Sequence, residues 1–95
     1  MADQLTDDEI ASRLRALPWE REGDEIAREW RFDDFTAAVA FVNRVATVAE
    51  SANHHPDIDI RYNQVTLGLV SHDAAGITQR DASMASQLSK EFPSA

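Results

Sequence analysis

The 95-residue chain contains no cysteine. That excludes disulfides and thiolate-bound metal sites. Basic residues are scarce: nine Lys and Arg stand against seventeen Asp and Glu, a formal charge of −8. Phosphate recognition needs clustered Lys and Arg, so nucleic acid and anionic membrane are excluded as partners. No apolar run approaches the ~20 residues that span a bilayer. The opening, MADQLTDDEI, is acidic and has neither the basic nor the apolar part of a secretion signal, so a cytoplasmic protein is expected. There is no repeat, low-complexity tract or internal linker.

What is present fits one small globular domain. Apolar residues make up 43% of the chain, an ordinary share for a folded protein. A chain of this length holds one core and no second. A single domain over residues 1–95 is expected, with Phe92 to Ala95 as a loose tail. So small a core gains from self-association.

Taken in order, Thr6-Asp7-Asp8-Glu9 has the form of a capping box. Ile10, Leu14 and Leu17 follow at helical spacing, which predicts a helix from Asp7 to Ala16, closed by Pro18. Trp19 to Arg21 and Glu25 to Phe32 predict a hairpin across Gly23. Ile26, Trp30 and Phe32 share one face of its second strand, with Arg28 the exception. Trp19 reads either as a packing residue or as one wall of a ring-binding pocket. Asp33 or Asp34 caps the longest helix, Phe35 to Ala52. Its apolar stripe is 35, 38, 39, 42, 45, 46 and 49, widened by Phe41 and Val48. Such a width suits burial against a sheet and against a partner chain.

After Pro56 the alternation Ile58, Ile60, Tyr62, then Val65, Leu67, Leu69, predicts two strands around a tight turn at Asn63-Gln64, where Asn63 tolerates the left-handed conformation. The second strand is expected to end near Ser71, leaving His72 at the mouth of a site. Thr78 caps a last helix, with Asp81 in the capping-box position. The order helix, two strands, long helix, two strands, helix predicts an α+β fold of two layers, a four-stranded antiparallel sheet with helices packed on one face.

All three histidines, His54, His55 and His72, fall between Glu50 and Asp81. Histidine titrates near neutral pH and is the commonest proton-transfer side chain. Pro56 pushes His55 towards an extended conformation, which places the pair at an element boundary, where side chains can be aimed at a pocket. Glu50 reads either as an exposed helix residue or as a carboxylate orienting one imidazole. Asp73 either orients His72 or bonds its own loop backbone. Asp81 needs no role beyond its cap. A zinc or iron site would need the three histidines with Asp73 or Glu50. Adjacent residues of an extended chain point to opposite faces, which disfavours joint ligation, and no metal is expected.

Three segments together carry a resemblance: Glu50-x3-His54-His55-Pro56-Asp57, then Tyr62-Asn63-x-Val65, then His72-Asp73-x2-Gly76-x-Thr78-x2-Asp81. From about Trp19 to Leu88 the chain resembles the pterin-4a-carbinolamine dehydratase family. The resemblance implies dehydration of 4a-hydroxytetrahydropterins to quinonoid dihydropterins, in recycling of the pterin cofactor, with no metal or organic cofactor. It implies a homodimer or homotetramer. It also implies His54, His55 and His72 as catalytic residues with Glu50 as the helix carboxylate, and Trp19, Pro56 and Asp73 around the substrate. His54 and His72 are expected to supply acid and base, and His55 to position the ring or hydroxyl. Ile58, the run Asp59-Ile60-Arg61, and Ala75 in place of a second glycine depart from the family pattern. The rival reading is a non-catalytic pterin-binding or protein-interaction module of the same fold.

Overall fold

The computed structural model describes residues 3–93. A helix α1 (Asp7–Leu14) precedes the hairpin β1 (Glu20–Glu22) and β2 (Glu25–Arg31). The long helix α2 (Phe35–Ala52) follows, then β3 (Asp57–Arg61), β4 (Gln64–Leu69), a 3-10 turn at His72–Ala74, and α3 (Gln79–Glu91). The four strands form one antiparallel sheet in the order β1-β2-β4-β3. The helices cover one of its faces. This is the expected α+β two-layer architecture. Among the described residues no helix is long and apolar enough to cross a membrane.

The local signals act as the sequence reading anticipates, with shifts at the ends. Thr6 Oγ1 accepts from Glu9 N–H at 3.1 Å and Glu9 returns the contact to Thr6 N–H at 2.9 Å. That backbone donor is the main reason the Glu9 carboxyl is held below the usual carboxylate range. Helix α1 closes two residues earlier than expected. Its last turn tightens into i→i+3 bonds at Arg15 and Leu17, which use up the carbonyls that would continue it. In the β3–β4 turn it is Tyr62, not Asn63, that takes the positive φ of 53°. Asn63 instead ties the turn to β2, donating from Nδ2 to the Phe32 carbonyl at 2.8 Å.

Strand register decides which face is core. Ile26, Trp30, Val65, Leu67 and Leu69 lie opposite one another and are buried. On α2 the buried line is Ala38, Phe41, Val45, Val48 and Ala49. Phe41 and Val48 therefore sit at the centre of the helix contact. Phe35, Val39, Val42 and Ala46 lie to its side and are partly or fully exposed. Around Trp30 the rings of Trp19 and Phe41 pack at 5.8 and 5.0 Å, and Phe92 meets Phe41 edge-on at 5.1 Å. Phe92 corrects the expectation of a loose tail. It is 5% exposed and its carbonyl accepts from the Trp30 indole at 3.0 Å. The rest of that expectation, residues 94 and 95, lies outside the described residues. Arg28, the exception on the core face, lays its guanidinium 4.2 Å over Trp30 and donates to the Pro93 carbonyl at 2.6 Å. Its burial lowers its pKa.

Edge strand β3 is covered least. Ile58 and Ile60 align with Leu67 and Val65 on the core face yet are 42% and 36% exposed. Among the described residues the opposite face of the sheet carries no helix, and it is acidic, with Glu25, Glu29, Asp57 and Asp59 against Arg31 and Arg61 on its three longer strands.

Candidate active site

The end of α2 aims the first imidazole. Asn53 adopts the left-handed conformation, φ 52°. Its N–H returns to Glu50 at 3.3 Å, while His54 N–H returns to Ala49 at 3.2 Å. This paired closure is a Schellman ending, in which Asn tolerates the positive φ better than most residues. It sets His54 against the start of α3, where Nε2 lies 2.6 Å from Asp81 Oδ1. The His54 side chain is 12% exposed and that of Asp81 is fully buried.

Asp81 is held as an acceptor from every side. Its Oδ2 takes the Thr78 N–H at 2.9 Å and the Ser71 hydroxyl at 2.8 Å. Since Ser71 spends its only proton there, the 2.7 Å contact between Ser71 and Thr78 hydroxyls is donated by Thr78. The remaining oxygen faces His54, so the neutral His54 ring presents Nε2–H there and has its lone pair on Nδ1. Sequence reasoning assigned Asp81 the cap alone. One oxygen caps α3 and the other fixes an imidazole. The signal available was the shorter Asp where a capping box prefers Glu: its second oxygen stays at the helix mouth.

His54 borders a cavity of about 260 Å³ with Ala52, Gln79, Arg80, Ser83, Met84 and Gln87. Arg80 was not anticipated as a site residue. Its guanidinium reaches back to Asp73 at 2.5 Å, and this contact is the largest cause holding the Asp73 carboxyl below its ordinary range. Asp73 therefore turns to Arg80 and not to His72. The carboxylate nearest His72 is Asp57, 4.0 Å away.

His72 stands at the start of a turn pinched by Ser71 and Gly76, which exchange backbone bonds at 2.9 and 3.3 Å. Strand β4 proper ends at Leu69, so His72 is clear of the sheet and its side chain is 76% exposed. It borders a cavity of about 510 Å³ with Glu22, Asp24, Glu25, Asp57, Val70 and Ala75. His55 Nε2 meets Glu50. Both are exposed, one turn apart across the end of α2. Of the two positions the sequence left open for it, Glu50 is both exposed and in contact with an imidazole, that of His55. Pro56 is half-buried between that pair and β3.

The three imidazoles face three different carboxylates: His54 to Asp81, His55 to Glu50, His72 to Asp57. Trp19 is 3% exposed and donates its indole N–H to Ser89 of α3 at 2.9 Å. It borders a separate cavity of about 610 Å³, beside Leu17, Pro18, Arg28 and Thr66, which holds no histidine. Among the described residues no three His, Asp or Glu side chains converge as metal ligands do.

A small α+β domain with a buried Asp–His pair and two further imidazoles is equipped for proton transfer. The chain belongs to the family described as pterin 4 alpha carbinolamine dehydratase, which it matches over residues 3–91. A relative from Acidobacterium capsulatum, provisionally named a pterin-4-alpha-carbinolamine dehydratase, is 56% identical over 90% of this chain and 94% of its own. A relative from Thermomicrobium roseum with the same provisional name is 53% identical over 92% and 95%. Among solved structures, a transcriptional coactivator/pterin dehydratase from Brucella melitensis superposes with a TM-score of 0.85 at 34% identity, over 93% of this chain and 97% of that one.

Proposed function

We propose that this protein dehydrates 4a-hydroxytetrahydropterin to quinonoid dihydropterin by histidine acid–base catalysis, as a cytoplasmic enzyme of pterin-cofactor recycling. The observation that carries the reading is the His54–Asp81 pair at the edge of a cavity, within a member of this family. In the reaction the C4a–O bond breaks and a ring N–H is lost. One imidazolium delivers a proton to the departing hydroxyl, which leaves as water. A neutral imidazole takes the ring proton, and the nitrogen lone pair closes the C=N bond. The two groups then exchange their protons with solvent, and nothing is oxidised or reduced. No metal or organic cofactor is called for.

His54 suits the base. Asp81 fixes its proton on Nε2, leaves Nδ1 to accept, and stabilises the imidazolium that forms. His72, exposed to solvent for reprotonation, takes the acid role in this reading, although it borders a different cavity from His54, so the substrate must bridge the two. His55, steadied by Glu50, positions the ring or hydroxyl. Pro56 shapes the approach. Asp73 meets the substrate through Arg80, and Trp19 supports the site through α3.

Self-association into a homodimer or homotetramer belongs to the same reading. Ile58 and Ile60 on the sheet edge and Phe35 on α2, 51% exposed, leave apolar surface that a second copy would cover. Single histidine substitutions test the roles. His54→Ala and His72→Ala are expected to lower kcat at least a hundredfold, in line with acid–base contributions of ~10²–10⁴, and His55→Ala mainly to raise KM. Full turnover without His54 and His72 defeats the assignment. Pterin binding with no turnover by the unaltered protein points to the binding-module reading.

A further inference from the structure

The turn that carries His72 is held from outside by a residue far from it in sequence. Gln4 donates from Nε2 to the carbonyls of Ala74 and Ala75 at 2.8 and 3.4 Å. Its backbone pairs with Thr78, and the next residue, Leu5, donates its N–H to the Ile77 carbonyl at 2.8 Å. The turn needs such support. Ala75 is left-handed, φ 56°, a conformation that glycine adopts freely and alanine resists. Gly76 leaves the space that Gln4 fills, since a Cβ there would lie 2.7 Å from Gln4 Cδ. On the far side of the turn, Arg80 grips Asp73. His72 itself has no closer partner than Asp57 at 4.0 Å. The backbone of the turn therefore sets where its side chain starts, and these two grips add to the Ser71–Gly76 pairing in holding that backbone.

We propose that Gln4 is a positioning residue for His72, acting through the Ala74 and Ala75 carbonyls. The inference rests on the dehydratase reading for its kinetic test, but not for its structural one. Gln4→Glu keeps shape and removes the donor, setting a carboxylate against two carbonyls. Gly76→Ala reaches the same contact from the other side by unseating the Gln4 side chain. Either substitution is expected to lower dehydration kcat by about five- to tenfold, one hydrogen bond's worth of ordering, with KM within about twofold.

Two readouts separate positioning from general damage. In a His72→Ala background, Gln4→Glu is expected to cause no further loss, because its effect runs through His72. In nuclear magnetic resonance spectra, the His72 ring signals are expected to broaden or split in Gln4→Glu while those of His54 stay sharp. An equal further loss in the His72→Ala background overturns the inference. So do unchanged His72 signals in both variants. If the unaltered protein shows no dehydratase turnover, the functional reading falls alone, and the ring signals still decide the role of Gln4.

Discussion

Asp81→Asn changes one oxygen of a fully buried side chain into a nitrogen, and its consequences follow from the hydrogen bonds. Two donors, Ser71 Oγ–H and Thr78 N–H, converge on Oδ2. The amide keeps its oxygen there, since the reverse orientation would set its NH2 against both. The amide nitrogen then occupies the Oδ1 position, 2.6 Å from His54 Nε2. Donor meets donor, and His54 must move its proton to Nδ1. The lone pair needed to accept the substrate proton is gone, and so is the charge that stabilises the imidazolium. A hydrogen bond to a charged group is worth about 1.5–3 kcal/mol, so kcat is expected to fall roughly 10- to 150-fold. Stability should change little, because both bonds to Oδ2, the Thr78 cap bond and the Ser71 bond, survive. Asp81→Ala differs: it strands those two buried donors, at about 1–3 kcal/mol each, and melting should drop by many degrees. The assay is steady-state dehydration beside a thermal melt. Wild-type kcat in a folded Asp81→Asn variant refutes the positioning of His54 by Asp81.

The remaining expectations concern stability, pH and assembly. Phe92→Ala should cost about 3–5 kcal/mol by emptying a core site, seen as a lower denaturant midpoint; a change below about 0.5 kcal/mol would restore the loose-tail reading. The Asp73 carboxyl is depressed by Arg80, so the pair is intact above the ordinary carboxylate pKa of about 3.9 and is lost as pH falls through the lower folded value. Arg80→Gln should therefore lower stability slightly at about pH 6–8, where the pair is intact, and converge with the unaltered protein below about pH 4, with the whole effect small because the pair is exposed and screened by salt. Ile58→Glu with Ile60→Glu should give monomers by light scattering while the fold is retained; unchanged mass would place the interface elsewhere.

The sequence was most informative where one physical cause dominates. Period-2 alternation in β2 and β4, two capping boxes and a long apolar helix gave the architecture, because each depends on neighbours in the chain. The register in which helix meets sheet was not legible in that way. The stripe of α2 is wide enough that periodicity alone does not choose between Val39 and Phe41 as its centre, and only contact with Trp30 and Phe92 does. The end of the chain was misread for the same reason: Phe92 stands between Glu91 and Pro93 with no apolar periodicity around it, and its burial depends on Trp30, 62 residues away. At the site, residue types and spacing marked the three histidines and Glu50, which lie near sequence landmarks. The pairing of each imidazole depends on how α2 and α3 meet, so Asp81 read as a cap, and Asp73 stayed open between His72 and its own loop backbone when its partner is Arg80. Gln4 gave no signal at all, since its partners are backbone carbonyls seventy residues on.

The most direct test is a progress curve with the unaltered protein. 4a-Hydroxytetrahydropterin is generated in situ and its conversion to quinonoid dihydropterin followed in the ultraviolet, with and without the purified protein. The account expects a rate that rises in proportion to protein concentration, well above spontaneous dehydration. A trace no faster than the spontaneous one, with protein shown to be folded, contradicts it.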